Sequence, residues 1–209
     1  MSLLAGKTIV ITAAAGTGIG SAAARRCLEE GAAVVVSDAH RRRLAETAAE
    51  LAAAHPGRVH ALPCDVTVQD QVDGLIEGAA GHFGRVDVMI NNAGLGGEAS
   101  ILEMTDTDWA RILDVTLTGT FRCTRAALRR MVEQGGGGAV VNNASVIGWR
   151  AQRGQAHYAA AKAGVMALTR CAAMDVAGHG IRVNAVAPSL AMHPNLAKAA
   201  SPALLAELA

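Results

Sequence analysis

The chain carries a single tyrosine, Tyr158, and only three lysines against sixteen arginines; one of those lysines, Lys162, stands four residues after the tyrosine. Four residues apart on a helix, the two side chains share a face. An ammonium placed there favours the ionised phenol and lowers its pKa from about 10. A phenol tuned toward neutral pH is a usable general acid and base. Ser145 lies thirteen residues upstream of Tyr158. It belongs to another element and could meet the phenol only in space. A hydroxyl, a phenol and an ammonium gathered in one place can move a proton to or from an oxygen. A helix surface that merely displays a Tyr and a Lys has the same spacing, so the surrounding elements must decide.

The β-branched run Lys7 to Thr12 predicts a buried strand. It breaks into Ala13-Ala14-Ala15-Gly16-Thr17-Gly18-Ile19-Gly20. An alanine-rich helix follows to Glu30, Gly31 ends it, and a second strand from Ala32 to Ser37 closes on Asp38. Strand, glycine turn, helix, strand and acid form a βαβ unit, with the acid eighteen residues after Gly20. Small residues at Gly16, Thr17, Gly18, Ile19 and Gly20 let the backbone approach a diphosphate, which the helix N-terminus attracts. A carboxylate at Asp38 would accept hydrogen bonds from an adenosine ribose.

The alternation continues along the chain. A helix is predicted over 41–54 and a strand over 59–64, running into Asp65-Val66. Thr67-Val68-Gln69-Asp70 opens a helix in the manner of a capping box. A strand over 86–90 leads into Asn91-Asn92-Ala93-Gly94. Thr105-Asp106-Thr107-Asp108 opens one long helix to about Glu133, and a strand over 139–142 follows. The helix carrying Tyr158 spans 156–177, and a last strand over 181–187 is closed by Pro188. Such alternation predicts an α/β fold: one domain over 1–209, a doubly wound parallel sheet with helices on both faces. Chemistry then belongs at the carboxyl ends of the strands. Gly16 to Gly20, Asp38, Asp65, Asn92, Ser145 and Pro188 all fall there.

Composition narrows the function classes. The chain is 51% hydrophobic but 2% aromatic, so its core is built from Ala, Val, Leu and Ile. A net charge of +1, with Arg41-Arg42-Arg43 as the one basic tract, argues against nucleic acid. No apolar run reaches the roughly 18–20 residues of a membrane span, and the first residues lack a leader pattern. A cytoplasmic protein is expected, with Cys27, Cys64, Cys123 and Cys171 as reduced thiols. The seven histidines have no metal-ligand spacing, so no metal is expected.

Taken together, the glycine turn, Asp65-Val66, Asn91-Asn92-Ala93-Gly94, Ser145, Tyr158-Ala159-Ala160-Ala161-Lys162 and Arg182-Val183-Asn184-Ala185-Val186-Ala187-Pro188 resemble the classical short-chain dehydrogenase/reductase family, in the family's order and over essentially the whole chain. The resemblance implies a Rossmann-like, NAD(P)-dependent oxidoreductase interconverting secondary alcohols and ketones. It implies that Tyr158 exchanges a proton with the substrate oxygen, that Ser145 holds that oxygen, and that Lys162 lowers the phenol pKa and binds the nicotinamide ribose. Asp65 and Val66 would lie at the adenine, and Asn92, Ala93, Gly94 and Pro188 along the cofactor.

Four departures from the family pattern stand out. Ala13 replaces the turn's first glycine, with Gly16 expected to take over its special backbone angle. Thr116 replaces an asparagine that usually holds a relay water, so a weakened or rearranged relay is expected, not an inactive site. Ser189 and His193 replace a glycine and a threonine near the nicotinamide. The chain ends at Ala209, where members of the family run on through a last helix and strand: either the sequence is a truncated one or the sheet lacks its C-terminal strand, and a substrate lid is expected to begin near 189.

Asp38 favours NAD over NADP, because a carboxylate repels a 2′-phosphate; Arg41 to Arg43 read as a solvated helix start and leave NADP open. Trp149, Arg150, Gln152, Arg153 and Gln155 border the expected pocket, with Met192 and His193 on the lid. They would suit a bulky ketone or alcohol bearing an anionic group, such as an acyl thioester or a steroid-derived acid. The helices over 107–133 and 156–177 are apolar on several faces and should be covered; in the family the chain resembles, the corresponding helices pair across a two-fold axis, which implies a homodimer or homotetramer. A dinucleotide-binding sensor or scaffold with little turnover is the alternative reading.

Overall fold

The computed structural model describes residues 2–189 and Ala191. Six strands form one parallel sheet: β1 (Thr8–Ile11), β2 (Ala33–Asp38), β3 (Val59–Pro63), β4 (Val88–Asn91), β5 (Gly138–Asn143) and β6 (Ile181–Val186), in the order β3-β2-β1-β4-β5-β6. The order reverses between β1 and β4, and the carboxyl ends of these two strands are where such a sheet places a ligand crevice.

Side-chain alternation divides the strands between two cores. Ile9, Ile11, Val34 and Val36 face one side, where α1 (Ile19–Glu29) adds Ala24, Cys27 and Leu28, and α2 (Arg41–Ala54) adds Leu44 and Leu51. Val10, Val35, Met89 and Val140 face the other. There α3 (Gln69–Phe83) packs Val72, Leu75, Ile76 and Ala79, its helical stripe. Behind it lie Cys123, Ala127 and Met131 of α5 (Gly119–Gln134) and Ala172 and Val176 of α6 (Ala156–Val176). The predicted doubly wound sheet is what forms, and strand ends fall within two residues of the expected ones.

Two local expectations are corrected. Thr67 does not cap α3: Val68 occupies the cap position and no side chain bonds there. The Thr67 hydroxyl instead donates to Asp65 Oδ1 at 2.7 Å, and its amide donates to the same oxygen at 2.9 Å. The Thr67 side chain is thus turned back to the Asp65 carboxylate instead of forward to accept from the helix amides. The single long helix is also interrupted. α4 (Asp106–Leu113) passes through a π-helical turn over Asp114–Thr118 before α5 begins. Within that turn the Thr116 carbonyl accepts from the Thr120 hydroxyl at 2.8 Å. Gly119 then passes so close to the end of β3 that a Cβ there would lie 2.6 Å from Val66 Cγ2. α4 does open in the expected segment, with Thr105 as its cap accepting from Asp108 N. Met192, His193 and the rest of the expected lid beyond Ala191 lie outside the described residues, as does any strand past β6.

Candidate active site

Ser145 follows β5 and starts a short turn over Val146–Gly148. It is 8% exposed, and its Oγ accepts from Ile147 N at 3.3 Å. Gly148 lets this turn lie on α6: a Cβ there would sit 2.7 Å from Met166 Cε and 3.1 Å from Ala163 N. That close approach brings Ser145 near Tyr158, close enough for its hydroxyl to favour the phenolate. One turn further along α6, Lys162 Nζ sits 5.6 Å from the centre of the Tyr158 ring. Lys162 is 3% exposed and donates to the Asn143 carbonyl at 2.5 Å.

Burial dominates the electrostatics. It pulls the Lys162 ammonium from its ordinary value of 10.5 down to about 8. It pushes the Tyr158 phenol above 10.0, and the Ser145 hydroxyl only partly opposes it. The expected lowering of the phenol by the lysine is therefore not what this structure has. The ammonium lies over the ring, and desolvation of the phenolate outweighs it.

Thr116 is fully buried in the π-helical turn. Its hydroxyl donates to the Leu95 carbonyl at 3.1 Å and accepts from the Leu95 amide at 3.0 Å. Its one proton is thus committed to the backbone and cannot be donated to a relay water. Gly94 runs alongside: a Cβ there would meet Lys162 Nζ at 3.5 Å and Thr116 Oγ1 at 3.8 Å. Pro188 closes this half of the site, its carbonyl accepting from Val146 N at 3.1 Å.

The glycine turn forms the other half. Gly16 has φ +83, as expected, but it does not relieve Ala13, which has φ +49 itself. Ala13 is held there because its carbonyl accepts from Asn92 Nδ2 at 3.0 Å and the next amide bonds Ser37 O at 2.9 Å. A Cβ at Gly20 would collide with that carbonyl at 2.4 Å and with Asn92 Nδ2 at 2.6 Å. Gly16 and Gly18 meet nothing within 4 Å at the same position. Gly18 caps α1 without a side chain, and the Ser21 hydroxyl turns back to Gly18 O. The first-turn amides beside exposed Thr17 and Ile19 therefore face open space, which fits a diphosphate.

Asp38 stands at the end of β2, accepting from His40 N at 2.8 Å and Ala15 N at 3.4 Å. Asn92 and Ala93 both donate their amides to Thr12 Oγ1 at 3.0 Å. Asp65 and buried Val66 lie past β3, farther along the same edge. The structure thus brings Ser145, Tyr158, Lys162, Thr116, Gly94 and Pro188 together, with the turn, Asp38 and Asn92 beside them. Thr12, Thr47 (which accepts from Gly16 N at 2.9 Å) and Asn143 were not singled out in the sequence. Only Asn143 left a signal there, as an amide in an apolar strand.

A family model described as short chain dehydrogenase matches residues 7–203. The chain belongs to that family. Among its curated relatives, the (5R,7aS)-5-hydroxy-7a-methyl-1-oxo-2,3,5,6,7,7a-hexahydro-1H-indene-carboxyl-CoA reductase of Mycobacterium tuberculosis is 61% identical over 207 residues, 99% of this chain and 79% of that protein. The 3-oxoacyl-[acyl-carrier-protein] reductase FabG of Thermotoga maritima is 39% identical over 91% of this chain and 76% of its own length. A short chain dehydrogenase structure from Mycobacterium smegmatis superposes with a TM-score of 0.89 at 57% identity, covering 92% of this chain and 80% of its own. The chain is thus a short-chain dehydrogenase with oxidoreductase relatives acting on ketones and alcohols, in a family that generally uses NAD(P). Among the described residues no three His, Cys, Asp or Glu side chains gather as a metal would need, and no helix is long and apolar enough to cross a membrane.

Proposed function

We propose that the chain is an NAD-dependent oxidoreductase that interconverts a ring ketone and a secondary alcohol on a bulky substrate carrying an acyl thioester. The Ser145–Tyr158–Lys162 cluster, set at the sheet edge beside an uncapped helix N-terminus, carries the reading. The bound dinucleotide supplies the hydride. In the reducing direction Tyr158 gives its phenol proton to the carbonyl oxygen. Ser145 holds that oxygen by its hydroxyl, and the phenolate left behind is stabilised by Lys162. A phenol raised above its ordinary value stays protonated at neutral pH and suits the donor role. Lys162 has two protons beyond the one bound to Asn143 O, and these would reach ribose hydroxyls.

NAD is favoured because Asp38 is fixed by two amides where a 2′-phosphate would meet its charge. Arg41, Arg42 and Arg43 are exposed, and Arg42 pairs with Glu46. Trp149, 65% exposed, with exposed Arg150 and Arg153, would receive an apolar body and an anionic arm. The ring-ketone CoA thioester follows the name of the Mycobacterium tuberculosis relative. Cys27, Cys64, Cys123 and Cys171 are free thiols, in keeping with a cytoplasmic enzyme. α5 and α6 leave an open groove of about 460 Å³ lined by Phe121, Leu128, Val132 and Leu168 among others, which supports pairing of two copies there. Titration with NADH and NADPH tests the cofactor. Preference for NADH by about tenfold or more, about 1.4 kcal/mol, is expected, and preference for NADPH would transfer the arginines to phosphate binding.

A further inference from the structure

β5 ends in two adjacent amides, Asn142 and Asn143, which point to opposite faces of the sheet. Asn142 belongs to the core: it accepts from Asn91 Nδ2 at 2.8 Å and donates to Thr169 Oγ1 at 2.9 Å, tying β4, β5 and α6 together. Asn143 faces the glycine turn. Its main-chain carbonyl accepts from Lys162 Nζ at 2.5 Å. Its side-chain Nδ2 donates to Asn92 Oδ1 at 2.9 Å. Asn92 in turn donates through Nδ2 to Ala13 O at 3.0 Å and Thr12 O at 3.2 Å. One hydrogen-bonded chain therefore runs from the ammonium of Lys162 to the backbone of the turn.

The direction of each amide in this chain is determined. Two carbonyls demand the Asn92 NH2 group, so the Asn92 oxygen faces Asn143 and requires a donor from it. The Asn143 NH2 group must then point at Asn92, and its Oδ1 points away. That oxygen is buried and finds no donor among the described residues. An aliphatic side chain of similar volume would remove that orphan but leave the Asn92 oxygen without its donor, so the amide at 143 is kept for its link to Asn92 at the expense of its own oxygen. A local cost of this kind is tolerated where function needs the group.

We propose that Asn143 is a positioning residue of the reaction: its carbonyl holds Lys162 while its amide holds Asn92, fixing the ammonium relative to the dinucleotide-binding turn. This rests on the function proposed above. Loss of the side-chain amide frees Asn92 and the Ala13 carbonyl on one side; on the other, the main-chain carbonyl that holds Lys162 remains but loses the side-chain tether that fixes its place, which loosens Lys162. The groups facing Lys162 are Tyr158 from α6, Gly94 after β4 and Thr116 from the π-helical turn, and among these only Tyr158 titrates.

The test is NADH binding, followed by nicotinamide fluorescence across pH, for the wild type, Asn143→Leu and Asn143→Asp, with thermal melts alongside. Wild-type affinity is expected to fall as pH rises through about 8, where Lys162 loses its proton. In Asn143→Leu, affinity at neutral pH is expected to drop about tenfold. The fall with pH should also move upward, because a loosened lysine regains water and its ordinary basicity. Asn143→Asp keeps the volume but removes the donor, and the same loss of affinity is expected if the leucine variant does not fold. A lower melting temperature with unchanged NADH affinity and pH profile would overturn the inference and leave Asn143 a structural residue. A wild type that binds NADH, with both variants equal to it, would overturn this inference alone. A wild type that binds neither NADH nor NADPH would overturn the proposed function and this inference together.

Discussion

Lys162 shows how a functional charge costs the fold. Its amino group is buried with no carboxylate partner among the described residues, and burial lowers its pKa from 10.5 to about 8. Between those values the unfolded chain binds a proton that the folded chain does not, so stability rises as pH climbs through that window. Below about pH 8 the full cost is present. Lys162→Met should therefore raise stability at neutral pH by about 1–3 kcal/mol, the desolvation penalty less the lost bond to Asn143 O. The gain should shrink toward pH 10.5, and denaturant melts at several pH values would read it. The variant should also lose turnover. A destabilised Lys162→Met protein at pH 7 would mean that the ammonium is better solvated than its burial implies. Ala13 illustrates a smaller cost. A left-handed conformation for a residue with a Cβ costs roughly 1–2 kcal/mol, and glycine's unfolded entropy takes back about 0.4–1 kcal/mol. Ala13→Gly should then be neutral to about 1 kcal/mol stabilising in the same melts. A substantial loss of stability would contradict the strain assigned to φ +49.

The elements divide cleanly into those the sequence could reveal and those it could not. β1 and β2 were legible because Ile9, Val10, Ile11 and Val34 to Val36 are β-branched runs between turn residues, and α2 because His55-Pro56-Gly57 stops it. The π-helical turn was not legible. α4 and α5 carry helical periodicity on both sides of it, and one extra residue per turn leaves no compositional mark. Its consequence is local: it presents the Thr116 hydroxyl to both polar groups of Leu95. The capping box at Thr67 failed because pattern alone cannot weigh the competing Asp65 carboxylate. Ser145, Tyr158 and Lys162 were legible as residue types, while their electrostatics depended on burial that no spacing encodes. Thr116→Val keeps the shape and removes both bonds to Leu95. It should destabilise the fold by about 1–3 kcal/mol and weaken NADH binding, because the Gly94 backbone that Leu95 continues loses its anchor. Unchanged NADH affinity in a folded variant would confine Thr116 to a structural role.

At the scale of the molecule, the apolar faces of α5 and α6 and the strand-edge crevice make separable demands. Phe121 and Val132 are partly exposed beside the groove. Val132→Glu places a charge in that groove, which a paired interface would have to desolvate. Sedimentation should then find a monomer where the wild type is a dimer or tetramer, with NADH affinity largely retained. A wild type that sediments as a monomer would contradict the pairing proposed from those helices.

The central claim is that this short-chain dehydrogenase transfers hydride with Tyr158 as proton donor, and Tyr158→Phe tests it most directly. The variant removes one oxygen and leaves the ring that Lys162 faces. In NADH-dependent reduction of a ring-ketone CoA thioester, kcat should fall by at least about a hundredfold, the usual contribution of a positioned acid, while NADH affinity stays within about twofold. A Tyr158→Phe protein that turns over like the wild type would contradict the account.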